Sequence, residues 1–160
     1  MIFGNYKRFG FIINYLLCYN EIQRVEVLVM KKKIILTGII RCKDEYLVVQ
    51  RSAYDDVLPG SWEFPGGNIE DGELLLDALK RELKEEVNYD LDIKKAKLIN
   101  VFDEIKEKKE TYHYIEFDYL IEEKSKEINI KLSNEHDDYK WVKKDSDLLD
   151  DFIKNKIKDL

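Results

Sequence analysis

The segment Gly66–Tyr89, GGNIEDGELLLDALKRELKEEVNY, constrains this chain more than any other. It reads as a glycine-rich loop, then a helix of about four turns, then a stop. Leu75, Leu76, Leu79, Leu83 and Val87 recur at helical spacing and predict a face turned to a core. Glu82, Glu85 and Glu86 stand at i, i+3 and i+4, so their carboxylates converge on one face. Three anions that close repel one another unless a cation lies between them, and hard dications with oxygen ligands, Mg²⁺ or Mn²⁺, suit such a cluster. The competing reading is a plain solvated face, the usual fate of a Lys/Glu-rich helix. Two neighbours argue against it. Asn88 falls where the helix needs a left-handed residue, a role Asn fills in place of Gly. Upstream, Pro65-Gly66-Gly67 lets bare backbone approach a ligand, with a carbonyl free to join a metal shell.

The chain of 160 residues suits one domain with a single core. Its net charge of −6 argues against a protein that coats nucleic acid. No stretch reaches the roughly 18 apolar residues of a membrane span. Cys18 and Cys42, with no CxxC or His partner nearby, fit a reducing, cytoplasmic compartment and no zinc site.

Residues 1–29 differ in character from residues 30–160 and read as an N-terminal extension, either untranslated or disordered. Lys7-Arg8 and the apolar run Phe9–Cys18 superficially resemble a signal peptide, but no small-residue cleavage site comes after them. Met30-Lys31-Lys32-Lys33-Ile34 reads as a start leading straight into a strand, and Val25-Glu26-Val27 can be encoded as a ribosome-binding sequence just before it. Met30 is therefore the expected first residue. Residues 30–160 carry −7, because 1–29 hold three cations against two anions.

Within 30–160, strands are expected at Ile34–Cys42, Tyr46–Arg51, Trp62–Phe64, Leu91–Glu104, Thr111–Glu122 and Tyr139–Lys143, with a weaker one at Lys126–Leu132. A charged turn is expected at Lys106–Glu110. From Asp145 or Ser146 as N-cap, Leu148, Leu149, Phe152, Ile153 and Ile157 outline a second amphipathic helix. Strands in the majority with two helices imply a mixed sheet covered by helices.

The 66–89 segment resembles the Nudix box, G-x5-E-x7-R-E-U-x-E-E-x-G-U, where U is a bulky aliphatic residue. Gly67, Glu73, Arg81, Glu82, Leu83, Glu85 and Glu86 fall in register. Asn88 replaces the last Gly and Tyr89 the final aliphatic residue. The resemblance covers nearly all of 30–160 and implies an α/β/α sandwich with a mixed central β-sheet. It also implies Mg²⁺-dependent (or Mn²⁺-dependent) hydrolysis of a nucleoside diphosphate linkage. Glu85 and Glu86 are then metal ligands, with the Gly66 carbonyl carried over from the family pattern. Glu82 joins them or acts as base, and Arg81 pins Glu73 by a charge-assisted hydrogen bond. Glu135, six residues before Trp141, matches the MutT-type spacing for a fourth ligand or general base; Glu116 and Asp118 are the alternatives. His113 and His136 receive no role.

Substrate choice lies outside the box. The stretches around Lys32–Arg41 and Gln50–Gly67 resemble the MutT group of nucleoside triphosphate pyrophosphohydrolases, in which water attacks the β-phosphorus to give a nucleoside monophosphate and pyrophosphate. Arg51 is a candidate contact to phosphate or base, Phe64 a candidate wall of the base pocket, and Gly67 lies against the substrate. An oxidised purine such as 8-oxo-dGTP is one implied substrate, but the Asn that reads it in MutT has no in-register match: Lys156 falls there and Asn155 is one residue off. Gly60-x3-Phe64-Pro65-Gly66-Gly67 is shared with the coenzyme A subgroup, whose fuller signature is absent. The alternatives are a Nudix enzyme acting on CTP-like pyrimidine nucleotides, ADP-ribose or a nucleotide sugar, and a non-catalytic nucleotide-sensing module. The expected partner is a small-molecule nucleotide, for a monomer or homodimer.

Overall fold

The computed structural model describes residues 30–107 and 111–160. The extension 1–29 and the tip of the turn expected at Lys106–Glu110 lie outside the described residues. Strand β1 (Lys31–Cys42) is twelve residues long because it serves several neighbours. On one side its upper end meets β2 (Glu45–Arg51) and its lower end meets β4 (Gly66–Asn68). On the other side it runs parallel to β6 (Thr111–Glu123) from Lys31↔Tyr112 to Cys42↔Glu123. The short β3 (Trp62–Glu63) pairs with β2, as does β7 (His136–Lys143), and β5 (Lys97–Glu107) closes the far edge against β6. With one parallel pair among antiparallel ones, the sheet is mixed, as expected.

Helix α1 (Leu75–Val87) covers one face. Ala78, Leu79, Leu83 and Val87 are buried against Leu36, Ile40, Leu47, Val49, Tyr119 and Ile121, while Leu75 and Leu76 pack at the margin. Asn88 adopts φ 56° and ψ 27°, the left-handed stop read from the sequence, and Tyr89 is buried behind it. The opposite face packs Ile39, Val48, Phe64, Leu120 and Val142 against Leu149, Ile153 and Ile157. Those last residues belong to helix α2 (Asp151–Lys156) and its flanks. The result is the α/β/α sandwich. Among the described residues no helix is long and apolar enough to cross a membrane.

Three boundaries differ from the sequence reading. The strand expected from Leu91 begins only at Lys97, because Asp92 caps a single 3₁₀ turn (Ile93–Lys95) by accepting the Lys94 N–H. Helix α2 is capped by Asp150, which accepts the Ile153 N–H, rather than by Asp145 or Ser146. The helix is one turn and a half, and Leu148 and Phe152 stay largely exposed.

The third difference shapes the site. Lys126–Leu132 is not a strand. Ile128 and Ile130 donate within the segment, to Lys126 O and Ile128 O (2.8 Å each), while Lys131 N–H and, just after the segment, Ser133 N–H reach the open carbonyls at the C-terminus of α1, Val87 O (3.2 Å) and Glu86 O (3.0 Å). The Asn88 side chain adds a bond to Asn129 O (3.0 Å). A helix end that needs donors has outcompeted the sheet for this extended segment, and the chain is thereby strapped beside the acidic face of α1.

Candidate active site

The loop and the helix of the 66–89 segment meet at Gly66 and Glu86. Glu86 is 7% exposed and accepts the Gly66 N–H through Oε2 (2.8 Å). Burial pushes its carboxyl up to about 7, partly offset by His136 and the Gly66 N–H, and Glu82 and Glu63 raise it further. Gly66 has φ 148°, and a Cβ there would lie 2.0 Å from the Leu36 carbonyl oxygen. Gly67 faces Glu82: a Cβ would lie 2.5 Å from its Cδ and Oε2. These two glycines let the loop press onto β1 on one side and onto the helix carboxylates on the other.

Arg81 organises the rest. Its Nε and Nη2 form a fork on Glu73 (2.8 and 2.9 Å), and Nη2 also reaches Asn68 O (3.1 Å). The Arg81 fork and the Glu70 N–H hold the Glu73 carboxyl down at about 2. The expected pin is present, and the same guanidinium does more: Nη1 donates to Glu82 (2.8 Å) and Glu85 (3.2 Å). Burial raises the Glu82 carboxyl above its ordinary value against the pull of Arg81.

Glu82, Glu85 and Glu86 therefore share one face but do not close on one point. Among the described residues no three His, Cys, Asp or Glu side chains are grouped tightly enough to hold an ion as they stand. The donor set nonetheless fits a hard dication. It offers carboxylate and carbonyl oxygens, one carboxyl so desolvated that it retains a proton near neutrality, and a second raised the same way.

Of the three carboxylates considered outside the box, Glu135 is the one brought beside it. The strap that ends at Ser133 leads into Glu135, whose carbonyl accepts the Ser52 N–H (2.8 Å) and whose charge bears on Glu82 and His136. Glu116 and Asp118 instead engage Lys156 on the α2 side of the sheet.

Two expected substrate contacts have other tasks. Arg51 gives Nε to Val57 O (2.9 Å), Nη1 to Glu63 (2.8 Å) and Nη2 to Asp55, so its guanidinium ties the β2–β3 loop to β3. Phe64 is 5% exposed, edge-on to Tyr46 with ring centroids 6.3 Å apart, in the core rather than at a pocket wall. Neither side chain was separable from a ligand contact by sequence, since an Arg or Phe beside a glycine loop serves either purpose.

His136 is the residue that sequence reasoning passed over. It is buried, its Nε2 lies 3.6 Å from Glu63 Oε1, and its Nδ1 has no partner among the described residues. Burial lowers its basicity, but Glu63, Glu86 and Glu135 outweigh that and raise it overall. The only sequence signal was its place next to Glu135. His113, by contrast, pairs with Asp103 at the exposed sheet edge (2.9 Å).

Comparison with known proteins agrees with this geometry. Residues 32–157 match the family model of the NUDIX domain. The chain is 30% identical over 122 residues to the nucleoside triphosphatase NudI of Escherichia coli O17:K52:H18, covering 71% of this chain and 84% of that one. Its fold is similar to a MutT NUDIX hydrolase from Burkholderia pseudomallei (TM-score 0.68, 21% identity, 81% and 98% of the two chains). It is also similar to a MutT protein from Methanosarcina mazei Go1 (TM-score 0.59, 23% identity, 81% and 93%). A glycine loop pressed onto a carboxylate-bearing helix, an Arg–Glu fork holding the two together, and a family match spanning nearly the whole described chain lead to one conclusion: this chain belongs to the Nudix family and is a Nudix hydrolase.

Proposed function

We propose that the protein hydrolyses nucleoside triphosphates to nucleoside monophosphate and pyrophosphate with Mg²⁺ or Mn²⁺. The observation that carries this reading is the buried Glu86 carboxyl against the Gly66 N–H, with Glu82 and Glu85 on the same helix face. The relative described as a nucleoside triphosphatase supports the substrate class.

Glu85, Glu86 and the Gly66 carbonyl would hold the dication, with Glu135 as a fourth ligand from the strap. A dication bound there neutralises the polyanionic diphosphate and makes water a better nucleophile. Burial makes Glu82 a stronger base than a surface carboxylate, so it takes the proton of the attacking water. The water oxygen forms a bond to the β-phosphorus while the bond from that phosphorus to the α–β bridging oxygen breaks. The monophosphate leaves with that bridging oxygen, and pyrophosphate carries the new one. Glu73 and Arg81 position the loop against the helix, and the missing side chain of Gly67 lets the loop lie directly against Glu82. Canonical and oxidised (d)NTPs, 8-oxo-dGTP among them, are candidate substrates.

The test is a substrate panel with the full chain and Mg²⁺. It holds canonical and oxidised (d)NTPs, ADP-ribose, coenzyme A and a dinucleoside polyphosphate, with Glu86→Gln alongside. Pyrophosphate release from one or a few triphosphates, lost in the variant, is expected. Cleavage of ADP-ribose or coenzyme A alone would replace the substrate class. Binding without turnover of any member would make the protein a sensor.

A further inference from the structure

At the end of the sheet away from the glycine loop, a cavity of about 400 Å³ opens between the β1–β2 hairpin and the last residues of β7. Thr37 is the partner of Gly66, and Arg41 and Lys43 at the cavity follow it along the same chain direction. At the rise of a strand they stand roughly 13–20 Å from the loop. Strand β7 covers the same span, from His136 beside Glu63 to Lys143 at the cavity. Four cations from three segments line the space: Arg41, Lys43, and Lys143 with Lys144. Its anions are Asp44 and Asp145. The chain as a whole carries −6, so this positive excess is local.

These cations are loosely committed. Lys143 Nζ lies 3.2 Å from Asp44, with side-chain exposures of 63% and 67%, and Arg41 contacts Glu122, which is 66% exposed. Ion pairs that lie in water contribute little, so a multiply charged phosphate can take both cations from single carboxylates. Lys43 and Lys144 have no ion pair among the described residues. Arg41 gives Nη2 to Glu122, one of its five N–H donors, and a planar guanidinium fork matches phosphate oxygens.

The backbone at Lys43 adds an independent sign. The pair Cys42↔Glu45 closes a two-residue hairpin, and Lys43 is its first central residue, with φ 58°. In both favoured turns of this length that position has a positive φ, which suits Gly, Asn or Asp. Lysine gains nothing there from the turn and is strained by it. What it does bring is an unpaired ammonium at the cavity rim.

We propose that this cavity is a second ligand site, for a small molecule bearing a diphosphate or triphosphate. Arg41, Lys43, Lys143 and Lys144 are its phosphate contacts. The site needs no dication, lies apart from the hydrolytic centre and does not depend on the reaction proposed above.

Calorimetric titration of the full chain with inorganic pyrophosphate tests it. The buffer holds EDTA, so that Glu82, Glu85 and Glu86 without a dication repel phosphate. The wild type is compared with Lys43→Gly, Lys144→Gln and the double variant, and melting temperatures are recorded. The wild type is expected to bind pyrophosphate with an affinity that falls as salt is added. Each single variant is expected to bind about three- to tenfold more weakly, the scale of one partly exposed charge-assisted contact, and the double variant more weakly still. Lys43→Gly is expected to melt at or above the wild-type temperature, because Gly relieves the turn, so its lost binding is not a folding failure. ADP is titrated alongside. Affinity equal to that of pyrophosphate makes a free diphosphate sufficient, and tighter binding that is lost in the same variants makes a nucleotide the ligand; both sustain the site. No binding of pyrophosphate by the wild type at millimolar concentration, or equal binding by the wild type and the double variant, would overturn it. So would a lower melting temperature in Lys43→Gly, which would make the lysine a choice of the turn.

Discussion

Replacing Glu86 with Gln is expected to stabilise the metal-free protein at pH 8 while abolishing hydrolysis. Burial pushes the Glu86 carboxyl from its ordinary 4.5 to about 7. The folded-state value lies above the unfolded one, so the folded protein holds this proton more tightly. The associated stability is fully present below the unfolded value and is lost as pH rises through 7. At about 1.36 kcal/mol per unit, the loss amounts to about 3 kcal/mol above pH 7. Gln can still accept the Gly66 N–H, but its new amide must leave water, returning roughly 1 kcal/mol. The net gain of about 2 kcal/mol corresponds to roughly 4–8 °C in melting temperature for a domain of this size. The assay is urea unfolding of both proteins in EDTA at pH 5 and pH 8, repeated with Mg²⁺. Near pH 5 most of the gain should disappear, and Mg²⁺ should stabilise the wild type more than the variant. A variant less stable than the wild type at pH 8 in EDTA, or an equal difference at both pH values, refutes the reasoning.

The two glycines of the loop should fail differently. Gly66→Ala drives Cβ into the Leu36 carbonyl oxygen at 2.0 Å with φ 148°, backbone against backbone, and should cost roughly 3 kcal/mol or more. Soluble yield and melting temperature would show it. Gly67→Ala meets the Glu82 carboxylate, the end of a side chain that can swing aside, so the fold should survive while kcat drops at least tenfold by roughly the loss of one positioned group. Arg81→Lys replaces a planar fork with a point charge that cannot hold Glu73 bidentately and also reach Glu82. A fall in kcat with an intact circular dichroism spectrum is expected, and unchanged turnover would show the fork to be dispensable. At the helix stop, Asn88→Gly should be tolerated, whereas Asn88→Val should destabilise by about 1–2 kcal/mol in denaturant titration, since a β-branched residue resists φ 56°.

The order of residues from Gly66 to Tyr89 by itself determined the helix, its buried stripe, its left-handed end and the Arg81–Glu73 fork. All of these depend on spacing within one element, which a helical or turn geometry converts directly into contact. The same locality made the Nudix resemblance legible and with it the sandwich fold. Only the tertiary structure decided the rest. Lys126–Leu132 has the composition of a weak strand, yet it went to the carbonyls at the end of α1, because an unsatisfied helix terminus competes for the same backbone donors as a sheet edge. That path leads Glu135 beside the box, while Glu116 and Asp118 pair with Lys156 on the other side of the sheet. The burial of His136 beside Glu63 and the packing of Phe64 on Tyr46 each join residues distant in the chain. So does the cavity under α2, whose lining is assembled from β5, β6 and the last helix. Such contacts arise from strand register and from competition among partners across the whole fold, neither of which any local pattern records.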